Sequence, residues 1–339
     1  MSEPLLPPSL LPRLERLSIA SKRRVRGTMQ GKRRSSRFGS SLEFADYREY
    51  APGDDIRRFD WGVYSRTGRP FVRQYWDEQE LQVSLYVDTS ASMDFGGGRV
   101  SGMADTLKSG RDKSVEQKPE GDQADKKIDG KQTEGNQSDS NKLNYAKKLA
   151  ASVGYMALAS YDRVQAAVFS SELEGQLPPV RGKASAARLF SFLQSAEPGG
   201  EGSLSRSLRQ PKALPKQPGM TWIFSDFWLA GGMDELVETL SYLLAAGQEI
   251  VLVHVLSPEE ITPALSGDLR LVDSELGTGK EIAMTGKVLE EYRRTLQAYQ
   301  AEIARFCSKR AIFYIQANTG VPLEEGIFET LRGAGVLGS

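Results

Sequence analysis

Two aspartates and a pair of serines carry the most suggestive chemistry in this chain. The apolar run "LQVSLYV" ends in Asp88-Thr-Ser90-Ala-Ser92, where alternate residues of a curling backbone can turn their oxygens toward one centre. A second acid, Asp226, closes the run "WIFSD". Such a cluster is all hard oxygen, with no histidine or thiolate beside it, and favours Mg²⁺ or Mn²⁺ over zinc or copper. Two carboxylates and two hydroxyls do not fill an octahedron, which leaves room for water or an incoming ligand. The alternative is purely structural: Asp and Ser at a strand-to-helix boundary cap orphan N–H groups.

For those acids to meet, the elements around them must bring two strand ends to one rim. Apolar runs alternate with helical patterns along the chain. "LQVSLYV", "VQAAVFS", "TWIFSD", "EIVLVHVL" and "AIFYIQ" read as strands. "LNYAKKLAASVGYMALASY", "SAARLFSFLQSA", "MDELVETLSYLLAAG", "VLEEYRRTLQAYQAEIARFCSK" and "PLEEGIFETLRG" read as helices. This alternation predicts an α/β fold, an open and mainly parallel Rossmann-like sheet with helices on both faces. Ligands of such sheets sit outside the carboxyl ends of the strands, where Asp88 and Asp226 fall.

Composition sets the frame. The chain has 339 residues, 39% hydrophobic, enough to build a core without metal or disulfide staples, and a lone cysteine, Cys307, rules out an internal disulfide. Forty-four basic residues balance 44 acidic ones, so there is no long-range pull toward nucleic acid or anionic lipid. Residues 1–80 form an arginine-rich N-terminal extension, with "KRRVRGTMQGKRRSSR" from Lys22 to Arg37 its most basic part. Residues 81–339 form the α/β domain. Within it, about 96–140 mix Gly, Gln, Ser and both charge signs with almost no large apolar side chain, and are expected to be a disordered insertion. No apolar run approaches the roughly 20 residues of a membrane span. The N-terminus lacks a basic region ahead of an apolar one, so the expected location is cytoplasmic.

The Asp-x-Ser-x-Ser after an apolar strand, with a later Ser-Asp at another strand end, resembles the metal-ion-dependent adhesion site of von Willebrand factor type A domains. In that family a partner carboxylate commonly takes the open metal position. The block from Ser41 to Met93 resembles a narrower group, the bacterial domain-of-unknown-function 58 proteins. Their hallmark is a Pro-Gly-Asp-Asp turn, then Arg, Asp-Trp and Arg-Thr-Gly ahead of the strand. Here these are Pro52 to Asp55, Arg57, Asp60-Trp61 and Arg66-Thr67-Gly68. The resemblance implies a further hydroxyl ligand from a Gly-Thr loop, where this chain has Gly202-Ser203. Ser203 either replaces that threonine or is displaced by one residue. The acids and arginines of the segment, Asp54, Asp55, Arg57, Asp60, Arg66 and Arg73, with Trp61, read either as a fixed salt-bridge lattice or as a partner-reading surface.

Enzyme readings fare poorly. A haloacid-dehalogenase-type phosphotransferase needs Asp-x-Asp, and here Ser90 holds the second position. A Ser-His-Asp hydrolase would need His254, the one histidine, which sits inside a predicted strand. "GTGKE" from Gly277 lacks the Ser or Thr of a phosphate loop. The leading expectation is a non-catalytic, metal-dependent protein-binding module. By resemblance it works with a MoxR-type AAA+ ATPase and an acidic client motif in the assembly or maturation of protein complexes. The alternatives are a nucleic-acid-associated protein using the arginine-rich segment and a metal-dependent hydrolase.

Overall fold

The computed structural model describes residues 4–21, 44–75, 81–96, 140–210, 212–263, 267–272 and 279–338. The basic stretch from Lys22 to Arg37 and nearly all of the insertion expected at 96–140 lie outside these residues.

A short helix α1 (Leu11–Leu14) and strand β1 (Ser18–Ile19) precede an antiparallel pair, β2 (Phe44–Glu49) and β3 (Phe71–Tyr75), which brackets helix α2 (Trp61–Thr67). The chain continues through β4 (Gln82–Asp88), α3 (Lys142–Ala159), β5 (Arg163–Phe169), β6 (Leu173–Arg181), α4 (Ala186–Gln194) and α5 (Leu204–Leu208). Then come β7 (Met220–Ser225), α6 (Gly232–Ala245), β8 (Glu249–Leu256) and α7 (Pro258–Ile261). A hairpin of β9 (Gly267–Val272) and β10 (Gly279–Met284) leads to the long helix α8 (Gly286–Lys309), β11 (Phe313–Asn318) and β12 (Leu337–Gly338).

Six strands form one sheet in the order β11-β8-β7-β4-β5-β6. Every neighbouring pair is parallel except β5 with β6. The protein is thus an α/β fold with a mostly parallel sheet flanked by helices. Successive residues of a strand point to opposite faces, and both faces are covered, which is why β4 and β7 are buried throughout. Val83, Leu85, Val87, Trp222 and Phe224 pack in a layer with Leu149, Val153 and Met156 of α3 and Leu189 and Leu193 of α4. Tyr86, Ile223 and Leu252 pack on the other face with Leu204 and Leu208 of α5, Leu236, Leu240 and Leu243 of α6, and Ile303 of α8.

The N-terminal residues share this core. Leu6, Leu10, Leu14, Leu17 and Ile19 are buried in the α3 layer, and β1 pairs antiparallel with β12. Residues 6–19, placed by sequence in the 1–80 extension, therefore pack as part of the main unit. Tyr155 donates a hydrogen bond to Glu15 at 2.7 Å, and Lys183 pairs with the same carboxylate at 2.6 Å.

From β4 the chain moves outward through β5 to β6, then returns to place β7 on the opposite side of β4. Helix α3, which follows β4, and helix α6, which follows β7, cover opposite faces. The carboxyl ends of β4 and β7 therefore flank a topological switch point, the place where such sheets open a crevice.

Candidate functional site at the carboxyl ends of β4 and β7

Parallel pairing of Val87 with Phe224 sets the last residues of the two strands side by side. Asp88 uses both carboxylate oxygens here. One accepts from the Ser90 backbone N–H at 2.9 Å, and the other from the Ser225 hydroxyl at 2.5 Å. The Ser90 and Ser92 hydroxyls lie 3.1 Å apart. Asp226 begins the turn out of β7, its Oδ1 accepting from the Trp228 N–H at 3.1 Å. The intervening Phe227 takes a left-handed backbone, φ 53°, a conformation that bulky residues rarely adopt and that is held here by its N–H bond to Ser225 Oγ. Asp88, Ser90, Ser92 and Asp226 are thus brought to one rim, as their strand-end positions predict.

Two further residues complete the cluster. Lys142, the first residue of α3, sends its ammonium into the protein, 2.7 Å from Asp226 Oδ2 and 2.7 Å from Glu260 Oε1. Glu260 is fixed in turn by a capping box at α7: Ser257 N–H donates to Glu260 Oε2 at 2.9 Å, and Ser257 Oγ accepts from the Glu260 N–H at 3.2 Å. Sequence reasoning missed both. The Ser-x-x-Glu box at the end of β8 was a legible signal. Lys142 carried a fainter one, a cation in the first turn of a helix, where the dipole favours acids.

Burial, and then the negative charge of Asp226, push the Asp88 carboxyl up to about 7 despite its hydrogen bonds from Ser225 and Ser90. Burial alone would lower the Lys142 ammonium, but the Asp226 and Glu260 carboxylates outweigh it and hold its pKa above the ordinary value. Burial raises Glu260 against the pull of Lys142.

This arrangement does not fit a divalent cation. Asp226 Oδ2 is taken by the ammonium, and both Asp88 oxygens accept from internal donors. Ser203 is turned elsewhere: it caps α5 and donates to Glu235 at 2.9 Å, so the hydroxyl expected from the Gly-Thr-like loop goes to a carboxylate outside the cluster. A metal placed on Asp226 would sit against Lys142, and like charges about 4 Å apart repel by about 4 kcal/mol per unit-charge pair at an effective dielectric of about 20. Among the described residues no group of three or more His, Cys, Asp or Glu is placed to share a metal ion.

The signature segment divides into a lattice and a face. Asp60 is the hub of the lattice: it caps α2 through the Gly62 and Val63 N–H groups at 2.9 and 3.0 Å, and accepts from Arg73 at 2.7 Å and Tyr47 at 2.9 Å. These bonds, led by the one from Arg73, hold its carboxyl well below the usual range. Asp54 accepts from Arg48 at 2.6 Å and from the Ala51 N–H at 2.8 Å, and Asp55 caps the next turn through the Arg57 N–H at 3.0 Å. Arg66 donates to the Gly62 carbonyl at 3.1 Å, and Gly68 ends α2 at φ 69°. The face is aromatic. Phe59 lies 4.5 Å from Trp61 and 5.6 Å from Tyr64, ring centre to ring centre, and Trp61 and Ile56 are each 64% exposed.

His254 is buried in β8, its Nδ1 2.7 Å from the Tyr314 hydroxyl, and burial lowers it to about 4. That is a packed core histidine, with no serine of the cluster bonded to it. Cys307 is buried in α8, and burial pushes its thiol up to about 12. Among the described residues no helix is long and apolar enough to cross a membrane.

A mostly parallel sheet with its candidate site at the switch point defines the broad class, a doubly wound α/β domain. The chain belongs to the family described as "Protein of unknown function DUF58", whose model matches residues 46–105 and 128–302. It is 25% identical over 301 residues to the uncharacterized proteins Rv1480 of Mycobacterium tuberculosis and Mb1516 of Mycobacterium bovis, covering 88% of this chain and 81% of each relative. Among solved structures it is similar to the conserved hypothetical protein BatB of Bacteroides thetaiotaomicron, at 14% identity and a TM-score of 0.33 over 68% of this chain and 98% of that one. An aerotolerance-related membrane protein of Bacteroides fragilis matches at 14% identity and a TM-score of 0.32, over 67% of this chain and the whole of that one.

Proposed function

We propose that this chain is a non-catalytic protein-binding module of the von Willebrand A-like kind, working with a MoxR-type AAA+ ATPase in the assembly or maturation of protein complexes in the cytoplasm. The observation that carries the reading is the aromatic face of α2. Trp61, Tyr64 and Ile56 stand exposed beside the exposed Arg57, Arg66 and Arg69. Trp, Tyr and Arg are the residue types that concentrate binding energy at protein interfaces, and the guanidinium groups suit an acidic client. The Asp60 lattice holds that face rigid, which lowers the ordering cost of binding. The partner class comes from the family resemblance.

Binding of a MoxR-type ATPase to wild type and to Trp61→Ala, by calorimetry or pull-down, tests the proposal. Loss of affinity of about thirtyfold or more, with an unchanged circular dichroism spectrum, is the expected result for a central aromatic anchor. Equal affinity in Trp61→Ala and in Tyr64→Ala would refute it.

A further inference from the structure

We propose that Lys142 is the resident cation of the β4–β7 crevice, neutralising Asp226 and Glu260 where a divalent metal would otherwise be called for, so that the site is built without metal and excludes it. This goes beyond the binding role proposed above and does not depend on it.

Three observations carry it. The ammonium makes 2.7 Å contacts to two carboxylates that come from different strand ends, and the Lys142 and Asp226 side chains are each 1% exposed. Its main chain is pinned as well: the Lys142 N–H donates to the Phe95 carbonyl at 2.9 Å, and the preceding Asn141 caps α3 and donates to Asp94 at 2.9 Å. The third observation is that the other candidate ligand oxygens are already engaged in hydrogen bonds. Asp88 accepts from Ser90 and Ser225, and Ser203 bonds Glu235, so the oxygens a metal would gather have partners already.

A lysine at the start of a helix works against the helix dipole, and an ammonium taken out of water needs compensating charge. Both costs are met here by two acids that have no other cation among their described contacts. A hard divalent ion gathering this cluster would draw on Asp226 as well as Asp88, and Asp226 already faces the ammonium. Lysine is a compact point charge on a flexible stem, suited to filling a site of this size.

The test uses the full chain and Mn²⁺ itself, followed by the paramagnetic resonance signal of the free ion and by thermal melting in Mg²⁺ and in EDTA. Wild type is expected to leave millimolar Mn²⁺ free and to melt at the same temperature in both solutions. Lys142→Ser removes the resident charge and leaves the carboxylates. It is expected to melt lower in EDTA, to recover part of that loss in Mg²⁺ or Mn²⁺, and to bind Mn²⁺ at least tenfold more tightly than wild type. If that variant does not fold, Lys142→Ser combined with Glu260→Gln strands one buried carboxylate fewer and keeps Asp88 and Asp226; this protein should fold and bind Mn²⁺ more tightly than wild type. Submillimolar Mn²⁺ binding by wild type, abolished by Asp88→Ala, would overturn the proposal. So would a folded Lys142→Ser protein, or a folded double variant, with no gain in Mn²⁺ affinity.

Discussion

The Lys142 ammonium and the Asp226 carboxylate meet at 2.7 Å inside the protein, 84 residues apart in sequence and both sealed from solvent. Each is costly to strand alone. Lys142→Met leaves Asp226 and Glu260 buried without their cation, and should lower the free energy of unfolding in urea by about 3–5 kcal/mol. Glu260→Gln leaves the ammonium its Asp226 partner and should cost less, about 1–3 kcal/mol. Equal losses in the two variants would mean that Lys142 does not bridge.

Two buried groups should oppose each other in acid. The folded-state pKa of Asp88 is raised to about 7, so the native state holds the extra proton between about pH 4 and 7 and this contribution to stability falls as pH rises through that window. His254 is lowered to about 4, so there the unfolded chain holds the extra proton between about pH 4 and 6.5 and stability rises with pH. Asp88→Asn should leave the rising slope exposed, and His254→Gln the falling one. Urea titrations at half-unit steps from pH 4.5 to 7.5 read both slopes directly, and slopes of the same sign in the two variants would be inconsistent with the burial described.

Gly219, immediately before β7, lies against Gln82, the first residue of β4. A Cβ there would stand 2.2 Å from the Gln82 carbonyl oxygen, and that atom belongs to a central strand with nowhere to move. Gly219→Ala should therefore cost at least about 1–3 kcal/mol. Gly199→Ala, with open space around the new methyl, should change the melting temperature little. Comparable melting temperatures for the two variants would contradict the packing.

The lattice and the face of the signature segment should separate experimentally. Asp60→Ala removes the cap of α2 and the partner of Arg73, so amide exchange over Trp61–Thr67 should quicken. Because the Asp60 carboxyl titrates below the usual range, its support is present at neutral pH and is lost as pH falls below that of ordinary carboxylates. Trp61→Ala should leave exchange nearly unchanged. If both variants loosen α2 equally, the tryptophan is structural too.

What the sequence made legible were the elements with an unambiguous period. The strand "EIVLVHVL" matches β8 residue for residue, and the acids ending "LQVSLYV" and "WIFSD" do emerge together. Lys142 was hidden because its meaning lies in partners 84 and 118 residues away. No local pattern records such a contact. The leucines at 6, 10, 14 and 17 have nearly helical spacing, but the prolines among them masked a segment that docks on α3. Ser203 has a hydroxyl at a plausible position in sequence, and only the fold shows that Glu235 receives it. Strand β6 was missed because "LEGQLPPVR" carries two prolines, which argue against a strand in any central position.

Those prolines have a consequence for association between molecules. Pro178 and Pro179 sit where the β5–β6 ladder slips register, between the Leu177–Ala166 and Val180–Val164 pairs, at one edge of the sheet. Two adjacent residues there offer no N–H, and the irregularity bends the edge away from a flat template. An extended peptide from another chain cannot zip along β6, which protects the molecule from edge-to-edge polymerisation. Growth of this sheet by strand addition is blocked on that side.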